Sequence, residues 1–251
     1  MKFPYDAVSG ALGLVSGMGS STMTVAPNED GWEIYNIDPS HTMLSYTVIP
    51  RSLFTLAEGE EWIDGDFTVD CDKFKTALGL TKGDDQSFVI AGGRVLMKGN
   101  GMTSRFPLEL YAAAPKRFPN VEFAATAEID SEQLRRIVKA GGAGIERNLM
   151  IQVTEVGVGM ADLTEQQDGI TLNIPADECS ILEGEGVSSY PMSAFKSIIG
   201  VIPKGVVTMR LGTNIPVVLE WGSEEDGDGD AEDGVQGWST KCFIAPRVEQ
   251  D

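Results

Sequence analysis

What most narrows the fold of this chain is that its sequence is written twice. Phe74-Lys75 and, after three more residues, Gly79 recur as Phe195-Lys196 and Gly200; Lys82-Gly83 recurs as Lys204-Gly205. An extended run closing at Val48-Ile49-Pro50 has its counterpart closing at Asn173-Ile174-Pro175. The separations agree to within a few positions and equal about half of the 251 residues. A supersecondary unit used twice solves a geometric problem, such as closing a ring or lining a groove, that catalysis seldom poses.

With 42% hydrophobic and 8% aromatic residues, the chain can bury one large core or two of ordinary size, and the repeat favours two. Acidic residues number 38 against 19 basic, a net charge of −19. That balance excludes a protein that coats nucleic acid with its whole surface, while leaving room for a local basic one. Cys71, Cys179 and Cys242 are odd in number, far apart and outside any C-x-x-C pair. Neither a disulfide framework nor a zinc site is expected, and a reducing compartment fits better. Lys2 followed by Ala7 to Met18 faintly resembles a signal sequence, but Asp6 and three glycines interrupt it and no run approaches membrane length, so no membrane association is expected.

Periodicity places the elements. In 130–141, Leu134, Ile137 and Val138 share one helical face, and Arg135, Arg136 and Lys139 lie off it. Asp130 is placed to cap this helix, with Gln133 where a capping box needs it. Cys71, Phe74, Ala77 and Leu78 give a second helix carrying Lys73 and Lys75, and Met192, Phe195, Ile198 and Ile199 a third carrying Lys196. Val8, Ala11, Leu12, Val15 and Met18 give a helix near the start whose other side is small and uncharged. Between the helices, strands are expected at 22–26, 32–37, 43–49, 87–90, 94–97 and 105–110. The second half answers at 121–127, 149–154, 157–161, 169–174, 206–211, 217–221 and 239–244. Short, mostly antiparallel strands with interspersed helices make an α+β fold. The Ala- and Pro-rich stretch between the repeats reads as a connector, giving domains at 1–109 and 121–251 joined by a loop at 110–120.

Basic residues gather on these helices. Lys73, Lys75, Lys82, Arg135, Arg136, Lys139, Arg147, Lys196 and Lys204 sit on or beside three of them, while acidic residues mostly lie elsewhere. Such a layout suits a positive concave surface within an anionic exterior, although helix surfaces commonly carry lysine for solubility alone.

Three motifs carry a resemblance: Ile37-Asp38-Pro39-Ser40-His41, Gly212-Thr213-Asn214-Ile215-Pro216-Val217, and Ile244-Ala245-Pro246-Arg247-Val248-Glu249. With them, and over essentially its whole length, the chain resembles DNA sliding clamps of the proliferating-cell-nuclear-antigen type, above all archaeal members. The resemblance implies a head-to-tail trimer of two-domain subunits, a six-domain ring around duplex DNA with helices lining the hole and sheets outside. It implies no catalysis, cofactor or metal. It assigns the nine basic residues above to loose phosphate contacts, which let a ring slide because they read no sequence. The first helix departs from the pattern, having no lysine between Lys2 and Arg51. Partner proteins, DNA polymerase among them, would dock a short peptide, the PIP box, in a pocket formed by Ile37, Leu44, Phe123, Pro216, Ile244, Pro246 and Val248. His41 and Ala245 would help seat its glutamine, and Lys116 and Phe118 would touch it from the connector. Subunits would join through strand edges, Arg105, Phe106, Leu108 and Leu110 on one side and Ile170, Leu172 and Ile174 on the other. A separate ATPase would open the ring. The setting implied is beside the chromosome, in archaeal cytoplasm or a eukaryotic nucleus.

Other motifs are weaker. Asp226, Asp228 and Asp230 imitate a calcium loop, but Ala231 stands where glycine is required and Gly237 where glutamate is. Asp38, Ser40 and His41 are triad residue types crowded into one turn. The segment 17–22 lacks the lysine of a phosphate-binding loop. Two alternatives stay open: a clamp-fold subunit specialised for a heterotrimer, checkpoint or viral role, and an acidic binding module that does not encircle DNA.

Overall fold

A computed structural model describes residues 1–83, 85–110, 116–141, 147–163, 169–223 and 237–247. The chain forms two compact units, one holding residues 1–39, 45–116 and 222–240, the other 40–44, 117–221 and 241–251.

The first unit contains helix α1 (Tyr5–Gly17), strands β1 (Thr22–Asn28), β2 (Gly31–Ile37) and β4 (Phe67–Asp70), and most of β3 (Met43–Pro50). After helix α2 (Cys71–Thr81) come β5 (Ser87–Ala91), β6 (Arg94–Gly99) and β7 (Met102–Pro107). Strand β1 pairs antiparallel with β2 and β4, and β5, β6 and β7 form an antiparallel meander. Its core is aromatic: Trp32 lies 4.8 Å from Phe54 and 5.5 Å from Phe67 between ring centres, and Phe88 reaches both Phe3 and Phe74. Such rings bury a large apolar area each and hold definite mutual geometry.

The second unit begins with β8 (Ala125–Asp130) and helix α3 (Ser131–Ala140), followed by β9 (Asn148–Thr154), β10 (Gly157–Leu163), β11 (Gly169–Pro175), β12 (Ile181–Gly184) and β13 (Gly186–Pro191). Helix α4 (Met192–Ile198) then leads to β14 (Val206–Leu211), β15 (Val217–Gly222) and β16 (Ser239–Ile244). One sheet has the order β11-β10-β9-β13; in another β8 lies between β12 and β14, with β15 beyond. All these pairs are antiparallel. The core here is mainly aliphatic, with Tyr190 and Phe195 forming an aromatic pair at 6.3 Å and Trp221 and Phe243 also buried.

The repeat is structural down to single atoms. Phe74 and Phe195 are both fully buried, in α2 and α4. Ile49-Pro50 ends β3 and Ile174-Pro175 ends β11, each followed by a single 3-10 turn, Arg51–Leu53 and Ala176–Glu178. Two glycines missed as repeats by sequence, Gly31 (φ 146°) and Gly157 (φ 141°), press their backbones against these isoleucines. A Cβ on either would stand 2.1 Å from the Ile49 or Ile174 carbonyl oxygen. Backbone approach this close admits only glycine.

The helices fall where periodicity puts them, with three strands added and some boundaries moved. Strands β4 and β12 escape sequence reading because four residues are too few to show a period, and β13 because it is glycine- and serine-rich; pairing with neighbours defines all three. Asp130 caps α3 by accepting from Glu132 N at 2.7 Å, but Gln133 does not close a capping box: its side chain lies beside Glu178 and accepts from Arg136. Strand β7 ends at Pro107, which supplies no ladder donor, so Leu108 and Leu110 lie beyond it. Tyr111 to Pro115, Val248, and Asp226, Asp228, Asp230 and Ala231 of the acidic loop lie outside the described residues.

Candidate nucleic-acid interface and peptide site

The nine basic residues divide by what holds them. On α2, Lys75 is exposed, whereas Lys73 pairs with Asp70 at 3.4 Å and Glu109 at 3.2 Å. The Glu109 hydrogen bond raises the Lys73 ammonium above its ordinary value. Asp70 also caps α2 by accepting from Lys73 N at 2.9 Å, a contact that holds its own carboxyl below the usual range. Lys82 lies over the Tyr5 ring at 4.4 Å, so it brings a cation to the start of α1, whose outer face has none of its own.

On α3, Arg136 and Lys139 are exposed and border a groove of about 530 Å³ shared with Ile170, Thr171 and Leu172 of β11. Arg135 is turned inward. Its guanidinium donates to Ser131 Oγ at 2.8 Å, to Glu132 Oε1 at 3.2 Å and to the Ile202 carbonyl. Arg147 is also drawn in, reaching the fully buried Asp162 at 2.6 and 2.8 Å, and that hydrogen bonding raises its already high affinity for its proton. Lys196 of α4 donates to the Gly141 carbonyl at 3.2 Å, and Lys204 is exposed in the turn before β14. Sequence reading passed over Asp162, although a lone carboxylate among Met160, Ala161 and Leu163 signals a buried partner.

The residues expected at a strand edge do occupy edges. Strand β7 pairs with β6 and ends its sheet; β11 pairs with β10 and ends another. Arg105 is exposed and Phe106 is in the core, with Leu108 half-buried and Leu110 entirely exposed. On β11, Ile170 is exposed, Leu172 intermediate and Ile174 buried. Met102 of β7 is an exposed apolar side chain that the motif missed.

Most of the expected peptide site gathers in the second unit. The segment Ala245 to Arg247 is tied at both ends, Ala245 N donating to Thr42 O and Arg247 N to Ser189 O, each at 2.8 Å. Ala124 N donates to Leu211 O at 3.0 Å, which sets Phe123 beside the turn carrying Pro216. Phe118 is nearly half exposed and lies 6.3 Å from the Phe243 ring. Phe123, Pro216, Ala245 and Pro246 are half-buried, the state of residues that line rather than fill, whereas Leu44 and Ile244 are buried. His41 is exposed with a left-handed φ of 57°. Ser40 lies against Thr42 and Asp38 is buried. In the first unit, Ile37 is half-buried and Lys116 pairs with Glu33. Burial pulls the Glu33 carboxyl upward, but Lys116 and Tyr46 hydrogen bonds outweigh it and hold the group below its ordinary value.

Among the described residues no cluster of metal-ligating side chains occurs. No known protein family and no curated protein matches the sequence. Solved structures do match the fold. The PCNA of A. fulgidus bound to the C-terminal region of FEN-1 superposes with a TM-score of 0.81 at 18% identity, covering 99% of this chain and 98% of that one. PCNA of Thermococcus kodakaraensis gives 0.78 at 18% identity, with 97% of both chains covered. The PCNA2–PCNA3 complex of Sulfolobus tokodaii gives 0.76 at 18%, with 98% of both covered. The chain therefore has the PCNA clamp fold from end to end.

Proposed function

We propose that the chain is a non-enzymatic DNA sliding clamp. Three copies close a ring by joining β7 of one to β11 of the next, which removes both open edges. Lys75, Lys82, Arg136, Lys139 and Lys204 face the duplex and contact phosphates loosely, while Arg135 is taken up by the Ile202 carbonyl and Arg147 by the buried Asp162 carboxylate behind them. The half-buried surface around Phe123, Pro216 and Pro246 takes short peptides of polymerase and other factors, and tethering them makes their rebinding a local event. A separate loader ATPase opens the ring. The observation that carries this reading is the pair of sheet edges, one in each unit, left open among the described residues, within a PCNA clamp fold shared over the whole length.

Topology tests it. Loaded onto nicked circular DNA, the protein should stay bound until the circle is linearised and then run off the ends. Release indifferent to linearisation sinks the proposal. A second reading, in which this chain closes a ring only with related chains, draws support from the cation-free outer face of α1 and from the two-chain composition of the Sulfolobus tokodaii structure. Sedimentation separates the two, since a lone chain should form trimers only under the first.

A further inference from the structure

We infer that Tyr190 is a positioning residue for the peptide site, setting the orientation of the Pro216 wall through one hydrogen bond; this rests on the reading of that surface as a docking site. The Tyr190 side chain is fully buried in β13, and its hydroxyl donates to the Ile215 carbonyl oxygen at 3.2 Å. That carbonyl belongs to the peptide bond entering Pro216. Because the bond is planar, fixing its oxygen also fixes the plane of the proline nitrogen and the ring carbon attached to it. Pro216 has no N–H with which to fix itself. The turn around it contains Asn214 at a left-handed φ of 56°, a conformation asparagine tolerates in turns, so the chain reverses tightly just before the proline.

The neighbouring residue doubles the effect. Ser189 O accepts from Arg247 N at 2.8 Å, so two consecutive residues of β13 hold both the proline turn and the C-terminal segment. An anchor of a short peptide gains affinity from walls ordered before it arrives, because little freedom is lost on binding. Loosening one wall shows mainly in dissociation.

The probe is a synthetic peptide of the FEN-1 C-terminal region, with the full chain in its native assembly. Tyr190→Phe keeps the ring and removes the hydroxyl. It should weaken peptide binding about fivefold through faster dissociation and speed hydrogen exchange across 213–217, leaving exchange in β14 unchanged. Ile137→Val, a core change on α3 away from Tyr190, should leave peptide affinity unaltered. Unchanged affinity in Tyr190→Phe while Phe118→Ala weakens binding overturns the inference and spares the site. Equal losses in Ile137→Val and Tyr190→Phe also overturn it, since general loosening would then be the cause. If the unaltered protein does not bind the peptide, the docking reading falls and the inference with it.

Discussion

At the scale of single residues, the polar groups that matter most are those removed from water. Asp162 is fully buried and compensated by Arg147; no helical or strand pattern in the sequence identifies that partner, because the two meet only through the pairing of β9 with β10. Cys71 and Tyr190 are uncharged groups whose ionisation the core resists. Burial, helped by the charges of Asp70 and Asp72, pushes the Cys71 thiol up from 9.0 to about 12, and burial pushes Tyr190 up from 10.0 to about 12. Above pH 9 the unfolded chain releases the Cys71 proton while the folded chain keeps it. The stability tied to that proton is therefore complete below pH 9 and is lost as pH rises toward about 12. Denaturant midpoints should fall between pH 9 and 11, and Cys71→Ala should flatten part of that fall. An unchanged slope in the variant would rule out the thiol as a source.

Among elements, the duplicated hairpins make the sharpest prediction. Gly31 and Gly157 occupy matching positions against Ile49 and Ile174, with the same left-handed φ and the same close carbonyl. Gly31→Ala and Gly157→Ala should each destabilise the protein by at least about 2 kcal/mol, the range of forced overpacking with backbone strain. Chemical denaturation of both variants checks this, and a loss confined to one half would show that the halves are not equivalent. Long amphipathic helices and alternating strands were readable from sequence, since a period of 3.6 or 2 survives whatever the neighbours do. Strand β12 was not readable. Its residues 181–184 pair because β8 lies beside them, and Glu183 and Gly184 give no local reason to extend.

For the whole molecule, charge decides how the proposed ring meets DNA. A net charge of −19 repels the duplex everywhere except where exposed cations are concentrated. Replacing Lys75, Lys139 or Lys204 with alanine should shallow the salt dependence of duplex binding, by about 0.9 in the log–log slope for each phosphate no longer neutralised, with little change in stability. Arg135→Ala and Arg147→Ala should do the opposite, lowering stability with a small effect on the slope, because their guanidinium groups bond inward to Ile202 and Asp162. Fluorescence anisotropy of labelled duplex against salt concentration, beside thermal melts of each variant, separates the two groups. A slope change in Arg147→Ala as large as in Lys75→Ala would contradict the division.

By itself the sequence determined the duplication, the α+β class, the four helices with their basic positions, and the three motifs around 37–41, 212–217 and 244–249. These depend on periodicity and on local residue types, which are written along the chain. Tertiary structure alone decided which cations are spent on backbone carbonyls and a buried carboxylate, that β7 and β11 end their sheets, and that Tyr190 reaches the turn before Pro216. Each is a meeting of residues far apart in sequence, and such meetings are fixed by packing and strand register, which no local pattern encodes.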